Sequence, residues 1–160
     1  MTATDEPRPL TELVDAGSIL MLMTMIDGTH SSRPLTCAGI DGDRISFLVD
    51  GTSSWVGAIE GGAGDVHLTM ADNRGNDYVA VNGDARLSRE RADIDELWSA
   101  PAGAYFDGGK DDPNIVVVHV DVREGEYWSS PSGRLGAALS LIRVATSNDP
   151  DKAGDHGPIS

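Results

Sequence analysis

Lysine is nearly absent from this chain. Of its 12 basic residues only Lys110 and Lys152 are lysines, against 26 aspartates and glutamates, leaving a formal net charge of −14 and a sequence pI near 4.4. So acidic a surface repels phosphate backbones and anionic bilayers at long range, which excludes nucleic acid and membranes as expected partners. A small phosphorylated ligand held by a few local donors is not excluded. Cysteine is reduced to Cys37, so no internal disulfide framework exists, and a single thiol fits the reducing cytoplasm. Long hydrophobic runs are missing: the longest near-continuous one, residues 19–26, is far too short to cross a bilayer. The first nine residues are acidic and proline-interrupted, unlike a secretion signal. His30, His67, His119 and His156 share no metal-ligand spacing with one another or with Cys37, so no metal site is expected. No G-x-S-x-G elbow, P-loop or strand-borne G-x-G-x-x-G is present, which removes support for the common hydrolase and nucleotide-binding superfamilies.

What is present is glycine, 19 residues of it, falling between short apolar runs in the manner of an antiparallel β protein. A chain of 160 residues suits one domain that buries roughly 68–70% of its unfolded surface. A flexible stretch over 1–9 and a short helix over 10–16 precede a strand at 19–26, which is apolar enough that both faces should be covered. Asp27-Gly28-Thr29 turns the chain into a strand at 33–40, and Asp41-Gly42-Asp43 is a hairpin signal leading to a strand at 44–49. The spacing of Trp55, Val56 and Ile59 predicts a helix over 53–60. Strands follow at 65–71 and 78–87, with Gly83 a bulge position. Ser88 is placed to cap a helix carrying Ile94, Leu97 and Trp98. Residues 101–113 read as a loop and 115–128 as the last long strand. Residues 132–144 have a helical stripe, and 145–160 read as a disordered acidic tail beyond a domain spanning 10–144. Six strands with short connections predict a mainly β fold, a meander closed into a small barrel.

Two segments carry candidate chemistry. His30-Ser31-Ser32-Arg33-Pro34-Leu35 is followed some twenty residues later by Asp50-Gly51-Thr52-Ser53-Ser54-Trp55. An arginine opening a strand, with a hydroxyl-rich turn into a helix start, is one way to build an anion site. The same residues also suit plain helix capping by Thr52 or Ser53 with a solvated Arg33. The second segment, Glu126-Tyr127-Trp128-Ser129-Ser130-Pro131-Ser132-Gly133-Arg134-Leu135, brings aromatics to the end of a strand beside an arginine. Trp128 is equally at home in a core or against a flat, conjugated ligand.

In order and spacing these segments, with Ile94-Asp95-Glu96-Leu97-Trp98 and Gly109-Lys110-Asp111-Asp112-Pro113, resemble the pyridoxamine 5′-phosphate oxidase-like split-barrel superfamily, in its general-stress-protein branch. The resemblance covers roughly residues 10–144. It implies a six-stranded antiparallel split β-barrel acting as a homodimer, with FMN in clefts at the interface. Carried over by position, Arg33 would contact the flavin or its phosphate, and Pro34, Leu35 and Thr36 would run their backbone along the ring. Leu48, Val49 and Asp50 would border the ring, and Ser53 and Ser54 would lie in the phosphate turn. Trp128 and Arg134 would approach from the C-terminal part.

The chain departs from the family at one position. Where members usually place a lysine or arginine on the phosphate, this chain has Trp55, with Asp50 close by. Loss of a charged phosphate contact removes roughly 1.5–3 kcal/mol, about ten- to a hundredfold in affinity. The resemblance therefore implies a flavoprotein, an FMN-dependent oxidoreductase drawing on a reduced nicotinamide, in which no side-chain acid, base or nucleophile is demanded because the cofactor does the chemistry. The alternatives are a non-catalytic barrel dimer that stores or senses a flavin or works through protein contacts, and, ranked lower, a deazaflavin-dependent reductase. Oxidation of pyridoxamine phosphate itself would need a second basic cluster, which the chain lacks.

Overall fold

The computed structural model describes residues 7–75, 77–129 and 155–159. Its strands are β1 (Ile19–Ile26), β2 (Thr29–Asp41), β3 (Arg44–Asp50), β4 (Asp65–Asp72), β5 (Asp77–Ser88), β6 (Ile115–Ser129) and β7 (Asp155–Pro158), with helices α1 (Ser54–Glu60) and α2 (Arg91–Leu97). The sheet runs β3-β2-β1-β4-β5-β6-β7, and β3 also pairs with β6, so the first six strands close into an antiparallel barrel.

Local chemistry accounts for most of the path. Asp27 and Gly28 both take positive φ (51° and 75°), the mirror-image turn that a two-residue hairpin needs to match strand twist. The β2–β3 hairpin has Gly42 at φ 56°. Alternation then sorts side chains: Leu20, Leu22, Ile45, Phe47, Leu68 and Val81 are buried in the barrel. Full burial of a side chain such as Phe47 contributes about 1.5–3 kcal/mol.

β6 departs from alternation because both its faces are covered. Val116, Val118 and Val120 belong to the barrel core, whereas Ile115 and Val117 join Ile94 and Phe106 in a second cluster packed by Leu48, Leu97 and Trp98. The expected bulge is present: Asn82 opposes Glu124 and Gly83 opposes Val122, so Arg123 is the extra residue. Its guanidinium swings out to Asp84 (3.0 Å) and Asp65 (2.6 Å).

Several expectations are corrected. The helix over 10–16 is a single 3₁₀ turn, Leu10–Glu12, because Leu10, Leu13 and Val14 are all drawn into the core. Residues 101–113 are not irregular throughout: 3₁₀ turns at Ala100–Ala104 and Gly109–Asp111 hold Phe106 in the second cluster. The last residues are not structureless, since β7 pairs with the far half of β6 from Glu126 to Ser129. Arg8, placed by sequence in a flexible terminus, bridges to Ile159 and stacks its guanidinium 5.3 Å from the Tyr127 ring centre.

A further correction concerns β1. Ile19, Met21 and Met25 are 62%, 41% and 54% exposed, so nothing in the described chain covers its outer face. The helix expected over 132–144 lies outside the described residues. Among the described residues, no helix is long and apolar enough to cross a membrane.

Candidate functional site

The β2–β3 pair and the chain leaving β3 create a cleft of about 470 Å³, within the range of small-molecule sites. One wall is Pro34, Leu35 and Thr36 of β2 with Ile19 of β1. The other is Leu48, Val49 and Asp50 of β3. Ser53 and Trp55 close one end, and Tyr105 and Phe106 lean in from the loop after α2. The walls are mainly apolar, with Asp50 the ionisable carboxylate among them.

Gly51 permits this geometry. A Cβ there would meet Val116 Cγ2 at 2.5 Å and the Asn114 carbonyl oxygen at 3.1 Å, and the Gly51 N–H donates to that same carbonyl at 2.7 Å. The glycine lets β3 leave the barrel tightly against the strand that closes it. Beside it, Asp50 accepts hydrogen bonds from the Thr52 hydroxyl (2.7 Å) and the Thr52 backbone N–H (2.8 Å). Those bonds, the hydroxyl foremost, hold the Asp50 carboxyl below its usual range, so it is ionised at neutral pH.

Capping by Thr52 or Ser53 is therefore corrected. Thr52 is engaged with Asp50, and Ser53, the residue before α1, makes no side-chain cap bond. The turn read as an anion cradle already carries an anion from its own chain, and α1 is only seven residues long.

Arg33 lies behind this cleft. It opposes Leu22 in the β1–β2 register, so its side chain shares the barrel-facing side with that core residue. Its Nη2 donates to Thr24 Oγ1 (3.1 Å) and to the Ser31 carbonyl and hydroxyl oxygens (3.0 Å each). The guanidinium sits 4.7 Å over the Trp55 ring centre, a cation–π contact. Nη1 is buried with no hydrogen-bond partner among the described residues. Burial lowers the Arg33 pKa from its ordinary value, though a guanidinium keeps its charge throughout. Trp55 lines the cleft and Arg33 does not.

The structure thus gathers Pro34, Leu35, Thr36, Leu48, Val49, Asp50, Ser53 and Trp55 around one space. Arg33 and exposed Ser54 adjoin it without lining it. Trp128 stands apart, in a shallow depression of about 590 Å³ with Met21 and Tyr78 on the outer sheet face. Ile19 lines both spaces, so the cleft opens onto that apolar face. Arg134 lies outside the described residues. Ile19, Tyr105 and Phe106 were not anticipated; an aromatic pair within a glycine- and aspartate-rich loop was the available signal.

A separate polar hollow of about 400 Å³ lies between α2 and the barrel. There the buried His119 has Ser46 Oγ at 2.8 Å from Nδ1 and Asp93 Oδ2 at 3.6 Å from Nε2. Arg44 and Arg86 flank it, both paired with Asp121. Burial, helped by Arg86, lowers the His119 pKa against the pull of Asp93. No group of three histidine, cysteine or acidic side chains suited to a metal ion occurs among the described residues.

A family model described as pyridoxamine 5′-phosphate oxidase like matches residues 5–151. General stress protein 26 of Bacillus subtilis (strain 168) is 33% identical over 60 residues, covering 36% of this chain and 42% of that protein, so the match spans under half of the relative. Among solved structures, a general stress FMN/FAD binding protein from Xanthomonas citri superposes with a TM-score of 0.63 at 25% identity, covering 74% of this chain and 84% of that one. A protein described as a general stress protein 26 from Jannaschia sp. CCS1 gives a TM-score of 0.75 at 19% identity over 93% of this chain and 94% of that one, a likeness of fold.

Proposed function

The chain belongs to the pyridoxamine 5′-phosphate oxidase-like family, and on that premise we propose that the β2–β3 cleft holds the ring of a flavin. The observation that carries this is the convergence of Pro34–Thr36 and Leu48–Asp50 on one slot walled by strand backbone and apolar side chains. A flat conjugated ring needs such a slot, with few polar groups to fix its orientation. The protein's share is to bind, orient and exclude water; a bound flavin supplies hydride chemistry, which makes a reduced nicotinamide the fitting electron donor. With its thiol buried at Cys37, the protein suits the reducing cytoplasm.

The second partner is another copy of the chain. Ile19, Met21 and Met25 present an apolar face larger than a scattering of single residues, and Ile19 joins that face to the cleft. A copy seated there covers the face and roofs the cleft at once.

The test is a titration of purified protein with flavins, followed by flavin fluorescence and visible absorption, with sedimentation on the same samples. Saturable micromolar binding to a dimer is expected, with both lost in Met21→Asp. No binding of FMN or riboflavin at high micromolar concentration refutes the flavin assignment. A bound flavin that NADH and NADPH both leave oxidised assigns the cleft to storage or sensing in place of catalysis.

A further inference from the structure

Resting on the flavin reading, we propose that this cleft selects the flavin ring without its phosphate, taking riboflavin-type ligands in preference to FMN. Two independent features point this way, and both lie at the Ser53–Trp55 end.

The first is the Asp50 turn. A phosphate bound beside a strand-to-helix turn uses the turn's N–H and hydroxyl donors. Here the Thr52 N–H and hydroxyl both donate to the Asp50 carboxylate, at 2.8 and 2.7 Å. A phosphate dianion at this point would meet the Asp50 carboxylate, with both Thr52 donors already taken. The second is Arg33, whose guanidinium stacks on the cleft-lining Trp55 ring. Its Nη2 is engaged by Thr24 and Ser31, and the Trp55 ring lies between its guanidinium and the cleft. Its Nη1 is buried with no hydrogen-bond partner among the described residues, and Arg33 does not line the cleft. A neutral ring with a hydroxylated side chain loses nothing to either feature, since Ser53 and Thr36 at the cleft offer hydroxyl partners. A dianion entering a chain of net charge −14 meets repulsion at short and long range.

The experiment compares FMN with riboflavin on the full chain by flavin fluorescence, at low and high salt. Riboflavin is expected to bind about tenfold tighter than FMN, the scale of a single charge-assisted hydrogen bond. Salt should tighten FMN binding by screening repulsion and leave riboflavin unchanged. Asp50→Asn, at an exposed position, should move the FMN-to-riboflavin ratio about tenfold toward FMN. Trp55→Ala should do the same by opening Arg33 to the cleft. FMN binding tighter than riboflavin, or FMN binding that weakens with salt, overturns the inference and leaves the flavin reading standing. An unchanged ratio in Asp50→Asn and Trp55→Ala also overturns it. If neither flavin binds, the flavin reading fails, and this inference with it.

Discussion

Replacing Gly83 by alanine puts a methyl group into the β5–β6 ladder where there is no room for one. An ideal Cβ at Gly83 falls 2.7 Å from the Asp121 carbonyl oxygen and 2.8 Å from Val120 Cγ1. The first obstacle is backbone in the strand that closes the barrel, so it cannot rotate away as a side-chain tip would. Relief requires β6 to move by several tenths of an ångström just where Arg123 bulges out and where Val120 and Val122 pair with neighbouring strands. Overpacking of this kind costs about 1–3 kcal/mol. The alanine's smaller unfolded-state entropy returns about 0.4–1 kcal/mol, leaving a net loss centred on ~1.3 kcal/mol. For a chain of this length that lowers Tm by about 2–8 °C. Gly57 is the matched control: it lies in α1, exposed, and a Cβ there meets nothing within 4 Å. Gly57→Ala should gain about 0.5–1 kcal/mol of helix preference and raise Tm by about 1–4 °C. Urea melts of the two variants beside the parent decide the matter. A Gly83→Ala protein as stable as the parent would mean that the β5–β6 approach is looser than described.

Two further outcomes follow from buried titratable groups. His119 has a folded pKa below the 6.5 of the unfolded chain, so between those values the unfolded chain binds the proton more tightly. Stability from this site is therefore full above pH 6.5 and falls as pH drops through that value toward the folded pKa; His119→Gln should flatten the slope of urea midpoint against pH between 7.5 and 5.5, and an unchanged slope refutes the assignment. Cys37 is buried and its thiol is pushed up to about 11, chiefly by burial, so a thiol reagent at pH 8 should label it only in step with unfolding. Rapid labelling of the native protein would contradict that burial.

Much of the barrel was legible because its instructions are short-range. Asp27-Gly28 and Asp41-Gly42-Asp43 mark hairpins through the φ values they permit, and the alternation of Val79 and Val81 or Leu20 and Leu22 marks a face. The errors arose where burial came from distant partners. Residues 10–16 looked helical, but Leu10, Leu13 and Val14 gain more by reaching the core than by completing a helix. Residues 155–158 carry no periodic apolar pattern and are ordered by pairing with β6, which any segment can make with its backbone N–H and C=O groups. The apolar β1 run reads as covered on both sides, whereas the described residues cover one.

The candidate site divides in the same manner. Strand and turn residues at 33–36, 48–50 and 53–55 could be named from linear order, because adjacent strands bring them together once the hairpins form. Local composition also sufficed for the cation shortage, a matter of counting charges. Where that shortage bites was settled only in three dimensions. That the Trp55 ring lies over the Arg33 guanidinium, and that Thr52 gives both donors to Asp50, depends on where side chains point after the barrel closes. Periodicity assigns a residue to a face; only packing determines which ring comes between a cation and the space a ligand would fill.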